Sequence, residues 1–334
     1  MFIAENWKDY EVLDTGNGEK LERWGSYLLR RPDPQVIWEI RKSSRGWRKP
    51  NGHYHRSQRG GGEWEFFELP EQWTISYTLG GDGSSRLPVE TAGSYGYSVP
   101  ENAALSALPA AERTLRFHLK PFSFKHTGLF PEQAANWDWC ANLILTERAR
   151  RVREGNAEPV KVLNLFAYTG GATLAAAKAG AAVTHVDASK GMVQWAKENA
   201  ESSGLSAAPI RWLVDDCVKF AERELRRGNR YDAIIMDPPS YGRGPKGEIW
   251  KLEDDIGGFL KLSAQLLSEK PLFFLLNSYT TGLQPAVMHY LLHSTLCIDR
   301  RGRVCAEEVG LPIAANGLML PCGCSARCSF RSMD

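Results

Sequence analysis

The residues best suited to chemistry are an acid, two prolines and an aromatic residue that follow an apolar run: Asp237, Pro238, Pro239 and Tyr241. The apolar run over residues 234–236 predicts a buried strand of a parallel sheet. Because the prolines lack N–H groups, they predict the end of that strand. Ligands of open α/β sheets bind beyond the carboxyl ends of strands. We therefore predict three catalytic residues that hold a flat base: the Asp237 carboxylate, the Pro238 carbonyl and the Tyr241 ring.

A glycine-containing turn lies between a predicted strand over residues 160–166 and a predicted helix over residues 171–179. Glycines at such a turn let a ligand approach the backbone, and free N–H groups at a helix N-terminus suit a carboxylate or a phosphate. The alternative is that the glycines only turn the chain. A dinucleotide site would prefer the spacing G-x-G-x-x-G, which is absent here, so a nicotinamide dehydrogenase is disfavoured. The predicted cofactor-binding residues are Phe166, Ala167, Tyr168, Thr169, Gly170 and Gly171.

Acidic residues follow the next two predicted strands, over residues 182–186 and 210–214. Asp187 is placed to accept hydrogen bonds from both hydroxyls of a ribose, and Asp215 from the exocyclic amine of an adenine. Helix capping is the alternative role, and it is equally compatible with Asp215. Together with the glycine turn and Asp237, these strand ends follow the order of the parts of S-adenosylmethionine: carboxylate, ribose, adenine and reacting group. The predicted cofactor-binding residues here are Asp187, Ala188, Ser189, Asp215, Asp216 and Cys217.

Strand and helix patterns alternate from residue 115 to residue 277, which predicts a doubly wound, mostly parallel α/β sheet with right-handed crossovers. The first third of the chain is instead rich in tryptophan, glycine and proline and shows short alternating runs. We predict a smaller β-rich domain over residues 1–112, for RNA binding or an oligomer contact, and the α/β domain over residues 113–334. The predicted N-terminal strands cover residues 24–29, 36–40, 64–69 and 73–79, with a mobile loop over residues 41–59.

Four segments resemble motifs of the class I S-adenosylmethionine-dependent methyltransferases: residues 163–171, Asp187, residues 215–216 and residues 237–241. The resemblance implies a seven-stranded Rossmann-like sheet, S-adenosylmethionine as the cofactor and methyl transfer as the activity. The alternative from another class is a non-catalytic RNA-binding module. Such a module would be expected to have lost the acid-proline-proline sequence, which is intact in this chain.

Two segments, residues 164–171 and 236–241, are similar to the bacterial large-subunit ribosomal RNA methyltransferases I and K/L. Residues 127–133 resemble a stretch that those enzymes carry ahead of the cofactor turn, which implies that Gln133 binds the cofactor. The resemblance covers roughly residues 124–281 and implies ribosomal RNA as the acceptor. DNA adenine, a protein or a small molecule remain alternative acceptors, because the acid-proline-proline-aromatic motif does not separate them.

The methylated atom is predicted to be a nitrogen. Asp237 and the Pro238 carbonyl can accept hydrogen bonds from an exocyclic amine and disperse its developing positive charge. Methylation of cytosine C5 instead needs a cysteine thiolate that attacks C6. The resemblance to C5-methylating relatives points to a cysteine after the next strand, but residues 277–282 contain none. Cys140 is predicted to pack in the core, and Cys217, in the adenine turn, is predicted to pack against the cofactor. Only a thiolate from the C-terminal tail therefore keeps the C5 alternative open.

Cations alternate with aromatic residues over residues 41–59, a pattern that suits contact with RNA phosphates and stacking on bases. A solvated basic loop is equally compatible with it. The cations are Arg41, Lys42, Arg45, Arg48, Lys49, Arg56 and Arg59, and the aromatic residues are Trp47, His53, Tyr54 and His55. In this loop we predict that Trp47 and Arg48 bind RNA. In a second basic loop, after the acceptor motif, we predict RNA contacts for Arg243 and Lys246.

The net charge, the apolar stretches and the cysteines of the chain indicate its partners and its compartment. The formal net charge is +2, so binding to RNA must come from local patches. No apolar stretch approaches a membrane span, and the first residues lack the pattern of a secretory signal. The 7 cysteines are therefore predicted to be reduced thiols in the cytoplasm. Cys322, Cys324 and Cys328 lack a C-x-x-C pair and a nearby histidine, so we predict no metal site. A homo-oligomer is compatible with the sequence.

Overall fold

The computed structural model describes most of the chain. The described residues are 1–39, 44–57, 61–81, 103–122, 125–243, 249–280, 282–298 and 300–330. Among the cations of the two basic loops, those outside this part are Arg41, Lys42, Arg59, Lys246 and the side chain of Arg243.

The described part contains both strands and helices. The strands are β1 (Phe2–Ile3), β2 (Tyr10–Gly16), β3 (Glu19–Trp24), β4 (Tyr27–Pro32), β5 (Gly52–Arg56), β6 (Gly62–Phe66), β7 (Trp73–Thr78), β8 (Thr114–Leu119), β9 (Lys161–Leu165), β10 (Ala182–Asp187), β11 (Ile210–Val214), β12 (Ala233–Met236), β13 (Tyr241–Arg243), β14 (Ile249–Lys251), β15 (Phe273–Ser278), β16 (Arg303–Pro312) and β17 (Met319–Ser329). The helices are α1 (Ala103–Ser106), α2 (Ala134–Arg153), α3 (Gly171–Lys178), α4 (Lys190–Ser202), α5 (Cys217–Arg226), α6 (Leu252–Ala264) and α7 (Pro285–Leu292). None of the described helices has the length and apolar character needed to cross a membrane.

The largest sheet has the order β1-β16-β17-β15-β12-β9-β10-β11. Its neighbours are parallel except where β17 pairs with β15 and with β16. Seven of its eight strands come from the chain segment that begins at β9 and ends at β17. This confirms the predicted doubly wound, mostly parallel α/β fold. The eighth strand, β1, has only two residues, too few to show a sequence pattern.

The central strands form where the sequence is continuously apolar. All four residues of β12 and all six of β15 are buried, as expected for strands covered by helices on both faces. β12 ends at Met236, directly before Asp237 and the two prolines, which confirms the predicted strand end. Buried side chains form two layers of core, one including α2 and α3 and the other including α5, α6 and α7.

A five-stranded sheet of order β2-β3-β4-β5-β6 forms the smaller β-rich N-terminal part, as predicted. Its neighbours are antiparallel except β4 and β5. The predicted strand over residues 24–29 is wrong, because Trp24 ends β3 and Tyr27 begins β4. Gly25 lies in the turn between them at φ +65°, a conformation that other residues rarely adopt. A hairpin therefore forms where the alternating pattern predicted one continuous strand.

The segment predicted to be a mobile basic loop over residues 41–59 is structured in its described part. It contains a turn of 3-10 helix at Arg45–Trp47 and the strand β5. Trp47 anchors the turn, since its indole Nε1 donates to the Asp14 carboxylate at 2.9 Å and its side chain is 3% exposed. Residues 36–39 belong to no strand. The prediction failed because both the pairing of β5 and the burial of Trp47 depend on residues distant in sequence.

β7 and β8 form a two-stranded antiparallel sheet. The predicted domain boundary, between residues 112 and 113, lies just before β8, so the two strands come from opposite sides of it. The backbone N–H groups of Arg116 and His118 donate to Ser203 and Asn199. These bonds join β8 to the end of α4, and β7 is joined through β8 to the helices that cover the large sheet.

Candidate active site

A cavity of about 1170 Å³ opens at the carboxyl ends of the central strands. Its wall includes the turns that follow β9, β10, β11 and β12, which is where open α/β sheets bind ligands. The predicted site residues that line it are Gln133, Phe166, Ala167, Tyr168, Thr169, Gly171, Asp187, Ala188, Ser189, Asp215, Asp216, Cys217, Asp237 and Pro238. Among the described site residues, those that do not line it are Gly170, Tyr241, Trp47 and Arg48.

The turn after β9 has an unusual backbone. Phe166, Tyr168 and Gly170 have φ of +56°, +51° and +89°, and positive φ is uncommon for residues other than glycine. Gly170 suits this left-handed conformation, whereas Gly171 must be small because a Cβ there would lie 2.5 Å from the Trp137 ring. Turn geometry and packing thus account for both glycines, which is the alternative role considered for them. The non-glycine residues at positive φ line the cavity, and such strain tends to cluster at functional sites.

Asp187 follows β10 and holds the neighbouring turns with its carboxylate. Its Oδ2 accepts from the Tyr168 N–H at 2.8 Å, and its Oδ1 accepts from the Ser189 N–H at 2.8 Å. Burial raises the pKa of Asp187, although both backbone hydrogen bonds act in the opposite direction. Each carboxylate oxygen keeps a further acceptor site, so a pair of neighbouring hydroxyls on a ligand could bind here.

The two acids after β11 are occupied by protein partners. Asp216 is the N-cap of α5, since its Oδ1 accepts from the Lys219 N–H at 2.9 Å. Asp215 accepts from the Asp216 N–H at 2.9 Å and forms an ion pair with Arg223. The capping role considered for Asp215 therefore belongs to its neighbour. Val214, directly before these acids, is 52% exposed and lines the cavity, which gives this part of the wall an apolar surface.

Three of the predicted cofactor-binding residues support the cavity through bonds to other parts of the chain. Thr169 donates from Oγ1 to the Gly128 carbonyl at 2.6 Å. The Cys217 sulfur accepts from the Phe166 N–H at 3.2 Å, and burial raises the pKa of this thiol. Ser189 caps the N-terminus of α4. These bonds fix the positions of the turns that line the cavity.

The wall from β9 to β11 fits S-adenosylmethionine. The N–H groups of Gly171 and Ala172 at the start of α3 have no acceptor among the described residues and suit a carboxylate. Asp187 offers acceptor sites for the hydroxyls of a ribose, and Val214 offers an apolar surface for the face of an adenine. The three groups follow one another along neighbouring strand ends, in the order of the parts of that molecule.

Asp237 and Pro238 line the part of the cavity next to the cofactor wall, and we name this part the acceptor side. Burial and the nearby Glu132 carboxylate raise the pKa of Asp237 to about 7, while a hydrogen bond with the Asn277 side chain opposes that rise. No donor among the described residues reaches the Pro238 carbonyl. A carboxylate and a free carbonyl on adjacent residues can accept the two hydrogens of one amino group.

A polar network supports the acceptor side, and sequence reasoning identified only Gln133 within it. Gln133 Oε1 accepts from Asn277 at 3.1 Å and from Asn136 at 2.8 Å, and its Nε2 donates to the Tyr279 hydroxyl at 2.8 Å. Burial raises the pKa of Glu132, the residue before Gln133. Both ends of the Gln133 amide are thus bound by protein groups. Asn277 could have been found from its position in the sequence. It ends a predicted strand that pairs with β12, so its side chain would be expected at the same edge of the sheet as Asp237.

The loop that carries the two prolines is held by residues beyond the motif. The Trp250 indole Nε1 donates to the Pro239 carbonyl at 2.8 Å, and the Thr280 hydroxyl donates to Ser240 Oγ at 2.6 Å. Tyr241 begins β13, which pairs with β14, and its side chain is 50% exposed. The rigid part of the acceptor loop is therefore followed by an aromatic ring that is open to solvent.

The N-terminal sheet forms one wall of the cavity through Lys20, Arg31 and Asp33. Lys20 is paired with Asp33 at 3.1 Å. Lys125, from the segment before α2, lies beside them and, among the described residues, its Nζ hydrogen-bonds only to the Pro32 carbonyl at 3.1 Å. Burial and the charge of Lys20 lower the pKa of Lys125 to about 8. This cationic wall was not predicted, because it joins residues about one hundred positions apart in the chain.

The RNA contact predicted for Trp47 in the first basic loop is wrong. The Trp47 ring is buried and its indole nitrogen is bonded to Asp14, so no ring face is open for stacking on a base. Arg48 is exposed and lies outside the cavity wall, so its contact with RNA stays a prediction. The local alternation of cations and aromatic residues reflects the packing of the N-terminal sheet at Trp47.

One cysteine of the C-terminal tail reaches the cavity. Cys322 lines its wall, and its thiol donates to the Leu320 carbonyl at 3.4 Å. Burial and the charge of Glu132 raise the pKa of Cys322 well above its ordinary value. The thiol is therefore protonated near neutral pH, which is the unreactive form. Sequence reasoning did not separate this cysteine from its neighbours, because its position depends on the pairing of β17 with β15 and β16.

Two ribosomal RNA methyltransferases are similar to part of the chain. The ribosomal RNA large subunit methyltransferase K/L of Shewanella frigidimarina (strain NCIMB 400) is 37% identical over 127 residues, which are 36% of this chain and 18% of that protein. The ribosomal RNA large subunit methyltransferase K of Neisseria meningitidis serogroup B is 32% identical over 139 residues, 41% of this chain and 39% of that protein. The chain thus spans less than half the length of either relative.

A solved structure and a family model cover more of the chain. A crystal structure described as the SAM-dependent methyltransferase from Agrobacterium tumefaciens is 34% identical, with a TM-score of 0.80 over 98% of this chain and 93% of that chain. The model of the S-adenosylmethionine-dependent methyltransferase family matches residues 104–273, just over half of the sequence. With a cavity wall that fits the cofactor, these matches establish that the chain belongs to the S-adenosylmethionine-dependent methyltransferases.

Proposed function

We propose that this enzyme methylates an exocyclic amino group of a base in ribosomal RNA. The observation that carries the proposal is that two hydrogen-bond acceptors lie on consecutive residues of the cavity wall. They are the Asp237 carboxylate and the Pro238 carbonyl, which receives no donor from the described residues. The exposed ring of Tyr241 lies on the same loop, three residues after Pro238, and suits stacking on a base. The similar proteins named as ribosomal RNA methyltransferases support the choice of acceptor, and the cytoplasm is the compartment in which that acceptor is found.

The cofactor is proposed to lie along the turns after β9, β10 and β11. The N–H groups at the start of α3 would bind its carboxylate, Asp187 its ribose hydroxyls and the surface around Val214 its adenine. The cofactor supplies an electrophilic methyl group on a sulfonium. Phe166, Tyr168 and the other residues predicted for cofactor binding shape this wall, and Gln133 supports the junction with the acceptor side.

On the acceptor side, Asp237 and the Pro238 carbonyl would each accept one hydrogen of the target amine. This orientation directs the nitrogen lone pair towards the methyl group, and positioning is the main source of rate enhancement in such a transfer. The bound cofactor would supply the methyl group to this nitrogen, and Asp237 would take up the N–H proton that the methylated nitrogen then loses. A carboxylate with a pKa of about 7 is suited to accept a proton near neutral pH.

Tyr241, Arg243 and Lys246 are proposed to contact the RNA around the target base. The two cations follow the acceptor motif and would bind phosphates, a contribution that weakens as salt concentration rises. The double variant Arg243→Ala/Lys246→Ala should raise the KM for RNA and reduce the salt dependence of binding. Unchanged RNA affinity at low and high salt would contradict this role.

The decisive experiment is transfer of labelled methyl groups to ribosomal RNA that lacks modification, followed by digestion and nucleoside mapping. The expected product is a single nucleoside methylated at an exocyclic nitrogen. DNA and protein extracts serve as competing acceptors, and Asp237→Ala serves as the inactive control. Labelling of DNA or protein with none in the RNA would refute the proposed acceptor while leaving the methyltransferase assignment in place.

A second candidate, methylation of cytosine C5, is favoured by one observation: Cys322 lines the cavity. The raised pKa of this thiol and its bond to the Leu320 carbonyl argue against a nucleophilic thiolate. Cys322→Ser should therefore change the rate of methyl transfer by no more than about twofold, the size expected for a small change in packing. Complete loss of transfer, with cofactor binding intact, would instead support attack on C6 by Cys322.

A further inference from the structure

We propose that His53, His55 and Glu65 form a binding site for a divalent transition-metal ion of the zinc class. One ligand atom from each of these side chains lies within 4.8 Å of the other two. Two imidazoles and a carboxylate are ligands that such ions bind together in proteins. The site belongs to the N-terminal sheet and is independent of the proposed methyl acceptor.

The fold produces this cluster from the geometry of two paired strands. Side chains two positions apart on a strand project from the same face, so His53 and His55 lie together on β5 with ring centroids 3.8 Å apart. In the antiparallel pairing of β5 with β6, Glu65 is directly opposite His53. Directly opposite residues share a face and have neighbouring Cβ atoms. The backbone therefore presents all three ligands on one face of the sheet.

The hydrogen bonds already present place each of the two histidines against a carboxylate. His55 Nε2 lies 2.8 Å from Glu65 Oε2, and His53 Nε2 lies 3.0 Å from Glu19 Oε1. A bound ion would replace a shared proton between a histidine and a carboxylate, because imidazole binds metals in its neutral form.

The surroundings leave room for the ion and for further ligands. The side chains of His55 and Glu65 are about half exposed, which allows the small rotations needed for bonds of about 2.0–2.2 Å. A second cavity of about 500 Å³ is lined by both histidines, together with Glu19 and Arg30. Two histidines and one carboxylate leave coordination positions open, so Glu19 or water from this cavity could complete the shell.

The chain offers a matched control for this site. His289 and His293 are exposed on and just after α7, with ring centroids 6.1 Å apart. Among the described residues, they have no carboxylate or cysteine close enough to form a three-ligand cluster. The pair therefore tests whether two neighbouring histidines suffice for binding or whether the carboxylate and the strand geometry are needed.

The test is calorimetric titration of Zn²⁺ into the full chain, prepared without a histidine tag, and into variants. The loss of a group that only supports a metal ligand weakens metal affinity by about 10–100-fold. The variant His53→Gln/His55→Gln removes two ligands themselves, so it should abolish the tightest binding event. Glu65→Gln, a change at a half-exposed residue that should not affect folding, should weaken it by at least about tenfold. His289→Gln/His293→Gln should leave it unchanged. Equal affinity in the wild type and in the His53→Gln/His55→Gln variant would overturn the proposal.

Free cysteines are the main competing ligands, since all seven are unpaired. Cobalt(II) distinguishes them, because thiolate ligands give an intense charge-transfer band and nitrogen and oxygen ligands do not. The expected spectrum has weak visible bands alone, lost in His53→Gln/His55→Gln and kept in the control variant. A strong charge-transfer band that persists in the histidine variant would assign the metal to cysteines and refute this site.

Discussion

The cofactor side and the acceptor side of the cavity each contain a buried carboxylate, and the two carboxylates have different partners. Asp187, on the cofactor side, accepts hydrogen bonds from two backbone N–H groups at 2.8 Å. Asp237, on the acceptor side, faces Glu132 and has a pKa of about 7. Burial raises the pKa of both carboxyls, but the backbone donors orient Asp187 and oppose the rise there, whereas the Glu132 carboxylate adds to the rise at Asp237. The same residue type is thus suited to binding on one side and to proton transfer on the other.

The largest effect should come from Asp237→Ala, which removes the proposed proton acceptor and one anchor of the target amine. Loss of a single group that stabilises transition-state charge reduces kcat by about 10²–10³-fold, and at least that is expected here. Cofactor affinity should be almost unchanged when measured by calorimetry. Weakened cofactor binding with a normal kcat would show that the two sides of the cavity are not separate.

The reverse result is expected for Asp187→Ala. A hydrogen bond to a charged group contributes about 1.5–3 kcal/mol, so the loss of even one should raise the Kd for S-adenosylmethionine about 10- to 100-fold. At saturating cofactor kcat should recover most of its value, which stopped-flow or steady-state assays would measure. Asp187→Asn is the matched control and should fall between the wild type and the alanine variant.

The acceptor side should also show a pH dependence set by Glu132. Only the ionised Asp237 can accept a proton, so kcat of the wild type should rise with pH through about 7. Glu132→Gln removes a negative charge that disfavours ionisation, which lowers the pKa of Asp237 and shifts the rise to lower pH, by on the order of one pH unit. An unshifted profile would mean that burial alone sets the pKa.

The smallest effect is expected for Trp250→Phe. This change removes the hydrogen bond to the Pro239 carbonyl but keeps an aromatic ring beside Phe166 and Phe259. A single hydrogen bond contributes about 0.5–1.5 kcal/mol, so kcat should fall by about two- to tenfold. A change confined to the KM of the RNA would show that Trp250 acts on substrate binding rather than on the position of the acceptor loop.

The turns at the carboxyl ends of the central strands could be located from the sequence because each is built locally. The turn at Tyr168, the acid at Asp187 and the strand end before Asp237 each follow from a short segment read by itself. The prediction could not decide which of the adjacent acids Asp215 and Asp216 caps the following helix. In the structure Asp216 is the N-cap of α5.

The residues that surround Asp237 and the N-terminal wall could not be predicted, because they come from distant segments. Glu132 influences Asp237 across about 100 positions, and Lys125 meets Pro32 across a similar span. Cys322 enters the cavity only because β17 inserts between β15 and β16. The burial of Trp47 depends on Asp14, 33 positions away. No local pattern of apolarity or charge carries such information.

The insertion of β17 has a consequence for synthesis of the chain. β15 is wholly buried in the finished sheet, and its partner β17 follows about 50 residues later. At a translation rate of about 5–20 residues per second, β17 is synthesised roughly 3–10 seconds after β15. During that time one edge of β15 has no partner strand. An unpaired apolar edge can associate with other chains, so slow translation of the last segment should increase aggregation, and a chaperone that covers strand edges should reduce it.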